Sequence, residues 1–264
     1  MAVLSITDAW NETAAFMGRE ARLVLPVGFM LVALPGAIVQ AATPAAPPSE
    51  LPEPGLWLAL VPFALALTLI GNLAISVLAL RPGMSVGEAI QQGARRFLPV
   101  LGAALLIGLA SMLVMAPILV VAALAAAALG APAIAAIPML LAIPALIFLW
   151  TRLLLSNPVG AVEQGGPVAI LKRSWALTAG HFWQLLGFLV LLLIVAMVAS
   201  GAVGAVGGTL ITLAFGPPRP DSLSFYLVLI LSTLVQACLA SVFAVMVARI
   251  YARLAPPDPG PVFT

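Results

Sequence analysis

Long apolar runs alternate along this chain with short polar segments. A helix needs about 20 apolar residues to cross a bilayer, and six of the runs reach that length. No charged residue lies between Arg96 and Arg152, so a tight turn at 129–132 is expected to separate the third span from the fourth. The pattern predicts an all-α integral membrane protein whose six transmembrane helices cover 23–42, 56–80, 98–128, 132–155, 182–214 and 223–254.

The segments that precede the first, third and fifth spans have one apolar face and one charged face. Residues 5–20 place Trp10 on one side of a helix and Arg19 on the other. Residues 85–97 follow the same pattern, and residues 167–179 are a weaker case. Amphipathic helices of this kind lie in the membrane interface, which is the orientation we expect. The alternative interpretation is that they are ordinary connectors packed on the helix ends.

The amphipathic segments also indicate a threefold internal repeat. Two of them begin with a serine followed three residues later by an acid, at Ser5 and Ser85, which is a capping box. The third begins with Gly166-Pro167, a glycine N-cap with proline in the first turn. Each is followed by two spans, so the repeats are parallel. We predict one membrane domain, 1–264, built from three copies of an interfacial amphipathic helix plus a transmembrane hairpin (about 5–82, 85–160 and 166–254), with a flexible cytoplasmic tail at 255–264.

Composition and charge place the chain in a membrane and orient it. Hydrophobic residues make up 63% of the chain and charged residues 8%, against roughly 25% charged in a soluble domain. Ten of the eleven lysines and arginines lie on one side of the spans. Only Arg219 lies on the other side, in one of the connections 43–55, 130–131 and 216–222. Cytoplasmic loops are enriched in these residues, so we expect a multi-pass protein of the bacterial inner (plasma) membrane with both termini in the cytoplasm. The first span is too long for the core of a cleaved signal peptide.

The few polar groups within the spans give no catalytic constellation. No ionisable residue lies at mid-depth, which argues against a proton-coupled transporter. Two stripes of polar residues lie within the spans: Thr68, Asn72 and Ser76 in the second, and Ser232 and Gln236 in the sixth. They could form a path through the bundle or, as we favour, hold the helices together.

The sequence has one histidine, His181, and one cysteine, Cys238, which are too few for a Cys/His zinc site. We expect no catalytic residue, no metal and no cofactor.

The cytoplasmic connections hold the candidate contacts for lipid headgroups or for a partner. They are Arg95, Arg96, Arg152, Glu163, Lys172, Arg173 and Trp175. Arg173 is two residues from Trp175, so the two side chains point about 200° apart on a helix. Trp175 is expected to face the bilayer or the bundle. Arg173 is free to reach Glu163, a headgroup phosphate or a helix end, or to remain in solvent.

The region from Arg152 to Leu193 resembles a known family. Its pattern is Arg152, then Pro158-Val159, then Glu163, then Lys172-Arg173-Ser174-Trp175 with Leu177-Thr178. This pattern is similar to the membrane domain of membrane-anchored glycerophosphoryl diester phosphodiesterases, and residues 86–102 resemble an earlier part of such proteins. In those enzymes hydrolysis belongs to a separate soluble domain with acidic metal ligands and histidines. This sequence shows no such domain, so the resemblance implies no hydrolase activity here.

These observations predict a non-enzymatic membrane protein that engages membrane lipids, anionic lipids included, or a membrane partner through its cytoplasmic helices. The formal net charge of only +2 excludes a strongly basic nucleic-acid binder. A transporter or channel for a lipid-like or uncharged solute, moving along the region of Thr68, Asn72 and Gln236, is the alternative. A protein partner and a homo-oligomer both remain open.

Overall fold

A computed structural model describes residues 6–44, 52–129, 136–219 and 222–255, and these residues are almost entirely helical. Ser5, the turn at 130–132 and the tail at 256–264 lie outside the described residues, so the predictions made there are not tested. The elements are α1 (Ile6–Val27), a π-helical segment (Gly28–Ala33), α2 (Leu34–Ala42), α3 (Trp57–Leu80), α4 (Val86–Leu129), α5 (Ala136–Arg152), α6 (Ser156–Val162), α7 (Pro167–Thr178), α8 (Phe182–Phe215) and α9 (Leu223–Leu254).

Six helical stretches are long and apolar enough to cross a membrane, as the sequence predicted. They are Thr7–Ala42, Trp57–Leu80, Val86–Ala128, Ala142–Val162, Phe182–Phe215 and Leu223–Leu254. The chain is therefore a multi-pass membrane protein. The fourth stretch is interrupted, because α5 ends at Arg152 and the separate helix α6 follows after a short turn.

The first two amphipathic segments are not separate helices, which corrects that prediction. Residues 6–20 belong to α1, which continues through the π-helical segment into α2, and residues 86–97 are the start of α4. The charged segments contain no residue that stops a helix, and Pro26 and Pro99 are the points where a bend can occur. Only the third segment is a separate helix, α7. It ends at Thr178, before Gly180 with its positive φ of 87°.

Two of the predicted helix starts lie within the described residues, and both are confirmed. The Ser85 hydroxyl and amide donate to Glu88 Oε2 at 2.7 and 2.9 Å, and the Glu88 amide donates back to the Ser85 hydroxyl at 3.3 Å. This reciprocal pair is the capping box. Gly166 is the N-cap of α7, and Pro167 stands in its first turn.

The packed core lies toward one end of the bundle, which we call the basic end. It is the end at which α1 and α4 begin and α3, α5 and α9 finish. The buried side chains of α3 are concentrated in its second half, and those of α9 mostly follow Ala237. Short α6 is buried against α3, α4, α7 and α9. By contrast, α8 buries only Leu185 and Phe188, both in its first two turns. The rest of α8 has the exposed apolar surface of a helix surrounded by lipid.

Close helix contacts in this core depend on glycine. Gly28 lies against Ser241 of α9, Gly93 against the Ile70 carbonyl of α3, and Gly160 against Val100 of α4, each without room for a Cβ. Small residues let helix backbones approach in a membrane, where the hydrophobic effect does not drive helices together. The glycine-rich stretch 200–208 lies within continuous α8.

Candidate functional site

The last carbonyl of α5 is capped by two hydroxyls from α7. Ser174 Oγ donates to the Arg152 carbonyl oxygen at 3.1 Å, and Thr178 Oγ1 shares its proton between the same oxygen at 3.1 Å and the Ser174 carbonyl oxygen at 3.0 Å. The two residues are one turn apart and both are fully buried. The final carbonyls of a helix lack partners within that helix. The Ser and Thr of the sequence pattern therefore join α7 to the end of α5.

The Arg152 side chain lies among three aromatic rings. Its guanidinium carbon is 5.3 Å from the Phe148 ring centre, 5.4 Å from that of Trp175 and 6.0 Å from that of Phe182. Its Nε and Nη1 atoms are buried and have no hydrogen-bond partner. Rings at this distance attract a cation through their π faces. Arg152 thus connects α5, α7 and α8, and these two buried nitrogens are not accessible to a ligand.

Glu163 links three elements at the basic end. Arg173 Nε donates to Glu163 Oε1 at 3.0 Å and to Oε2 at 3.1 Å, and the Tyr251 hydroxyl donates to Oε1 at 2.7 Å. The contact with Glu163 is one of the four alternatives considered for Arg173, and Trp175 lies on the other side of α7. We call Arg152, Glu163, Arg173, Ser174, Trp175 and Thr178 the motif cluster.

The other predicted contacts are not gathered into a site. Arg95 and Lys172 are exposed and Arg96 is half-buried. None of the three forms an ion pair within the described part of the chain. They contribute positive charge to the surface of the basic end and do not line the arginine-rich cleft described next.

A cleft lined by three arginines, which the sequence analysis did not single out, opens at the same end. Its volume is about 240 Å³. We call it the arginine cleft and define it by Arg19, Arg81, Arg249 and Glu20, with Phe16, Leu23, Val24, Leu78 and the 82–84 turn completing its lining. Val24 and Leu78 are buried and apolar, so the cleft begins where the apolar part of the spans ends.

Each arginine reaches the cleft for a local reason. Arg81 follows the last residue of α3 in an extended conformation, and Gly83, with φ of 86°, turns the chain toward α4. Arg81 Nη1 donates to Gln92 Oε1 at 3.1 Å. Arg249 lies over the Phe16 ring at 4.9 Å and its Nε atom is buried, which leaves its terminal nitrogens for the cleft. Arg19 is exposed on α1.

The charges of the cleft are not neutralised by ion pairs. Among the described residues the acids that form salt bridges are Glu163, Asp8 and Glu12, and their partners are Arg173 and Arg253. None of the three cleft arginines is in such a pair. With Glu20, the formal charge of the lining is positive. Arginine presents a planar fork of donors that matches phosphate oxygens.

The two polar stripes of the spans line different cavities. Asn72 and Ser76 share one of about 210 Å³ with Asn157. Ser232 and Gln236 border another of about 110 Å³, against the small residues of α8. Thr68 donates across the helix interface to the Val32 carbonyl of the π-helical segment at 3.4 Å. This geometry favours helix packing over one continuous path.

His181 has no acidic partner in the described chain. It is the N-cap residue of α8, and its Nδ1 atom is buried without a hydrogen-bond partner. Glu163, the nearest acid in the sequence, is bonded to Arg173 and Tyr251 instead.

A signal for the arginine cleft was present in the sequence. Arg81 and Arg249 occupy the ends of the second spans of the first and third predicted repeats. Their common position placed them on one membrane face. Their convergence with Arg19 depends on the packing of α1 between α3 and α9, which no local pattern encodes.

One protein family matches the chain. The family described as Domain of unknown function (DUF7847) matches residues 4–254, nearly the whole sequence, so the chain belongs to this family. Neither the curated proteins nor the solved structures include a match. The family description contains no link to glycerophosphoryl diester phosphodiesterase membrane domains, and that resemblance stays a prediction.

Proposed function

We propose that this member of a family of unknown function is a non-enzymatic protein of the bacterial inner membrane that binds anionic lipid headgroups in the arginine cleft. The observation that carries the proposal is the convergence of Arg19, Arg81 and Arg249 on one cavity without an ion pair. A phosphate group supplies the negative charge and the acceptor oxygens that these side chains lack.

The position of the cleft suits a headgroup. Its apolar floor, Val24 and Leu78, belongs to two of the apolar spans, and Leu23 is exposed on the flank of α1. Near an anionic membrane surface each arginine contributes about 1 kcal/mol of attraction. Three arginines around one phosphate therefore favour an anionic over a neutral lipid by about 3 kcal/mol at most, on that scale.

A cytoplasmic location of the basic end is part of the proposal. It rests on the concentration of lysine and arginine at that end. Two equivalent contacts support the threefold repeat: Arg81 of the first copy bonds Gln92 of the second, and Arg253 of the third bonds Glu12 of the first. Gln92 and Glu12 occupy matching positions in the aligned amphipathic segments.

Cysteine labelling tests the orientation. Exposed Ala15 and Gln91 are suitable positions, because Glu12 and Gln92 are themselves bonded. In a Cys238→Ser background, Ala15→Cys and Gln91→Cys should react with a membrane-impermeant maleimide only after the cells are opened. Glu53→Cys, in the connection at the opposite end, should react in intact cells. The reverse pattern would contradict the orientation.

Lipid retention tests the binding. The protein purified in a mild detergent should retain phosphatidylglycerol in preference to phosphatidylcholine, as measured by native mass spectrometry. Arg81→Gln/Arg249→Gln should lose this preference, whereas Arg95→Gln/Arg96→Gln, with the same change in charge, should keep most of it. Equal losses would mean that the surface charge of the basic end, and not the arginine cleft, attracts the lipid.

Transport of an uncharged solute is the second candidate, and one observation favours it. The cavity of Asn72, Ser76 and Asn157 offers amide groups within the apolar bundle. Unbonded amides are costly in such surroundings, so they require water or a polar ligand. Solute-driven swelling of proteoliposomes that Asn72→Leu abolishes would support this function instead.

A further inference from the structure

Glu20 lines the arginine cleft although a negative charge opposes the binding of a simple anion. It is half-buried and forms no salt bridge in the described part of the chain. Like charges repel, and more strongly at the edge of a low-dielectric region than in water. An anion without a hydrogen-bond donor of its own, such as sulfate, gains nothing from this carboxylate.

A ligand that carries donors beside its phosphate would use both signs of charge. Glu20 is one helical turn before Val24, so it lies toward the water side of the apolar floor. A headgroup with its phosphate among the arginines would extend its second alcohol in that direction. A carboxylate accepts hydrogen bonds from hydroxyl or ammonium groups, and charge-assisted bonds of this kind are the stronger ones.

The size of the cleft sets a further limit on the ligand. A volume of about 240 Å³ is several times the roughly 30 Å³ that one water molecule occupies in the liquid. It is smaller than the usual pocket of about 300–1,000 Å³ for a drug-sized ligand. The cleft has room for a headgroup, while the acyl chains would remain along the apolar surface beside Leu23.

We propose, building on lipid binding at this site, that the arginine cleft selects phosphodiester headgroups whose second alcohol carries hydrogen-bond donors. A glycerol headgroup has this chemistry and keeps a net negative charge. Arg19, Arg81 and Arg249 bind the phosphate, and Glu20 accepts from a hydroxyl group of the glycerol. Glu20 is then the residue that determines headgroup specificity.

A comparison of two lipids with the same charge tests this selection. Phosphatidylglycerol and phosphatidylmethanol both carry one negative charge, and only the first has hydroxyl groups on its headgroup. In phosphatidylcholine nanodiscs, the wild-type protein should bind phosphatidylglycerol about tenfold more tightly, the effect of one hydrogen bond to a charged group. Glu20→Ala should bring the ratio to about one without weakening the binding of phosphatidylmethanol. Glu53→Ala, at the opposite end, should leave the ratio unchanged.

The outcomes separate this inference from the proposed function. Equal binding of the two anionic lipids, both above phosphatidylcholine, would overturn the role of Glu20 and leave the lipid-binding function standing. No preference for either anionic lipid would overturn both. Release of phosphatidylglycerol by millimolar inorganic phosphate would identify a free anion as the ligand and overturn the headgroup assignment.

Discussion

The motif cluster and the arginine cleft lie at the same end of the bundle and use the same side chain in opposite ways. In the motif cluster, Arg152 is enclosed by aromatic rings and Arg173 is paired with Glu163. In the arginine cleft, Arg19, Arg81 and Arg249 face a cavity and form no ion pair. A charge that already has its partner stabilises the fold, whereas a charge directed at an open cavity is available to a ligand. The difference teaches that a pattern of arginines in sequence does not by itself identify a binding site.

The largest expected effect comes from removing the cap of α5. Ser174→Ala/Thr178→Val leaves the Arg152 carbonyl without either hydroxyl donor, in a buried position. The free energy of unfolding should fall by about 2–3 kcal/mol, from lost hydrogen bonds and an unsatisfied buried acceptor. Denaturation in detergent measures it. The control is Ser111→Ala/Thr212→Val, whose hydroxyls bond only within their own helices. An equal fall in the control would contradict a special role for the cap.

Breaking the pair of Arg173 and Glu163 should have a smaller effect. Their side chains are 38% and 31% exposed, so solvent screens the charges. Arg173→Ala and Glu163→Gln should each lower the free energy of unfolding by about 1 kcal/mol, and the double variant by less than the sum. Arg219→Ala, at the opposite end, should leave stability unchanged. Full additivity in the double-mutant cycle would show that the two side chains do not interact.

Arg249→Lys distinguishes shape from charge within the arginine cleft. Lysine retains the positive charge but loses the planar fork and its stacking on Phe16. Binding of phosphatidylglycerol should weaken by about fivefold, the equivalent of about 1 kcal/mol. Arg22→Lys, on an exposed position of α1 outside the cleft, should have no effect on lipid binding. Unchanged binding in Arg249→Lys would mean that only net charge matters.

The smallest effects belong to the exposed basic residues outside both regions. Lys172→Ala and Arg95→Ala should each change stability by less than about 0.5 kcal/mol, as is usual for exposed surface positions. Each should weaken anionic lipid binding by a few-fold at most. A loss as large as that of Arg81→Gln would extend the binding surface beyond the arginine cleft.

The spans were predictable because a long apolar run has few alternatives to a membrane helix. Predicted ends such as 56 and 80 differ by at most one residue from those of α3. The capping box at Ser85 and the position of Arg173 opposite Trp175 were also predictable, because each depends on a few neighbouring residues on one helix. The geometry of the amphipathic segments was not predictable in the same way, because a charged face indicates contact with water and does not show whether a helix turns before its span.

The arginine cleft required information that a single sequence lacks. Arg19, Arg81 and Arg249 are far apart along the chain, and they meet because α1 packs against both α3 and α9. The sequence placed all three near one membrane surface and no further. Conversely, Arg95 and Arg96 had the same local character and do not line the arginine cleft.

The most direct measurement is the increase in melting temperature that phosphatidylglycerol causes, relative to detergent alone, in one variant of each region. A ligand that binds only the folded state raises its stability, so this increment reports binding apart from intrinsic stability. Arg81→Gln/Arg249→Gln should keep most of the wild-type melting temperature in detergent and lose most of the increment. Arg173→Ala should melt at a lower temperature and keep the increment. Loss of the increment in Arg173→Ala together with its retention in the cleft variant would contradict the assignment of lipid binding to the arginine cleft.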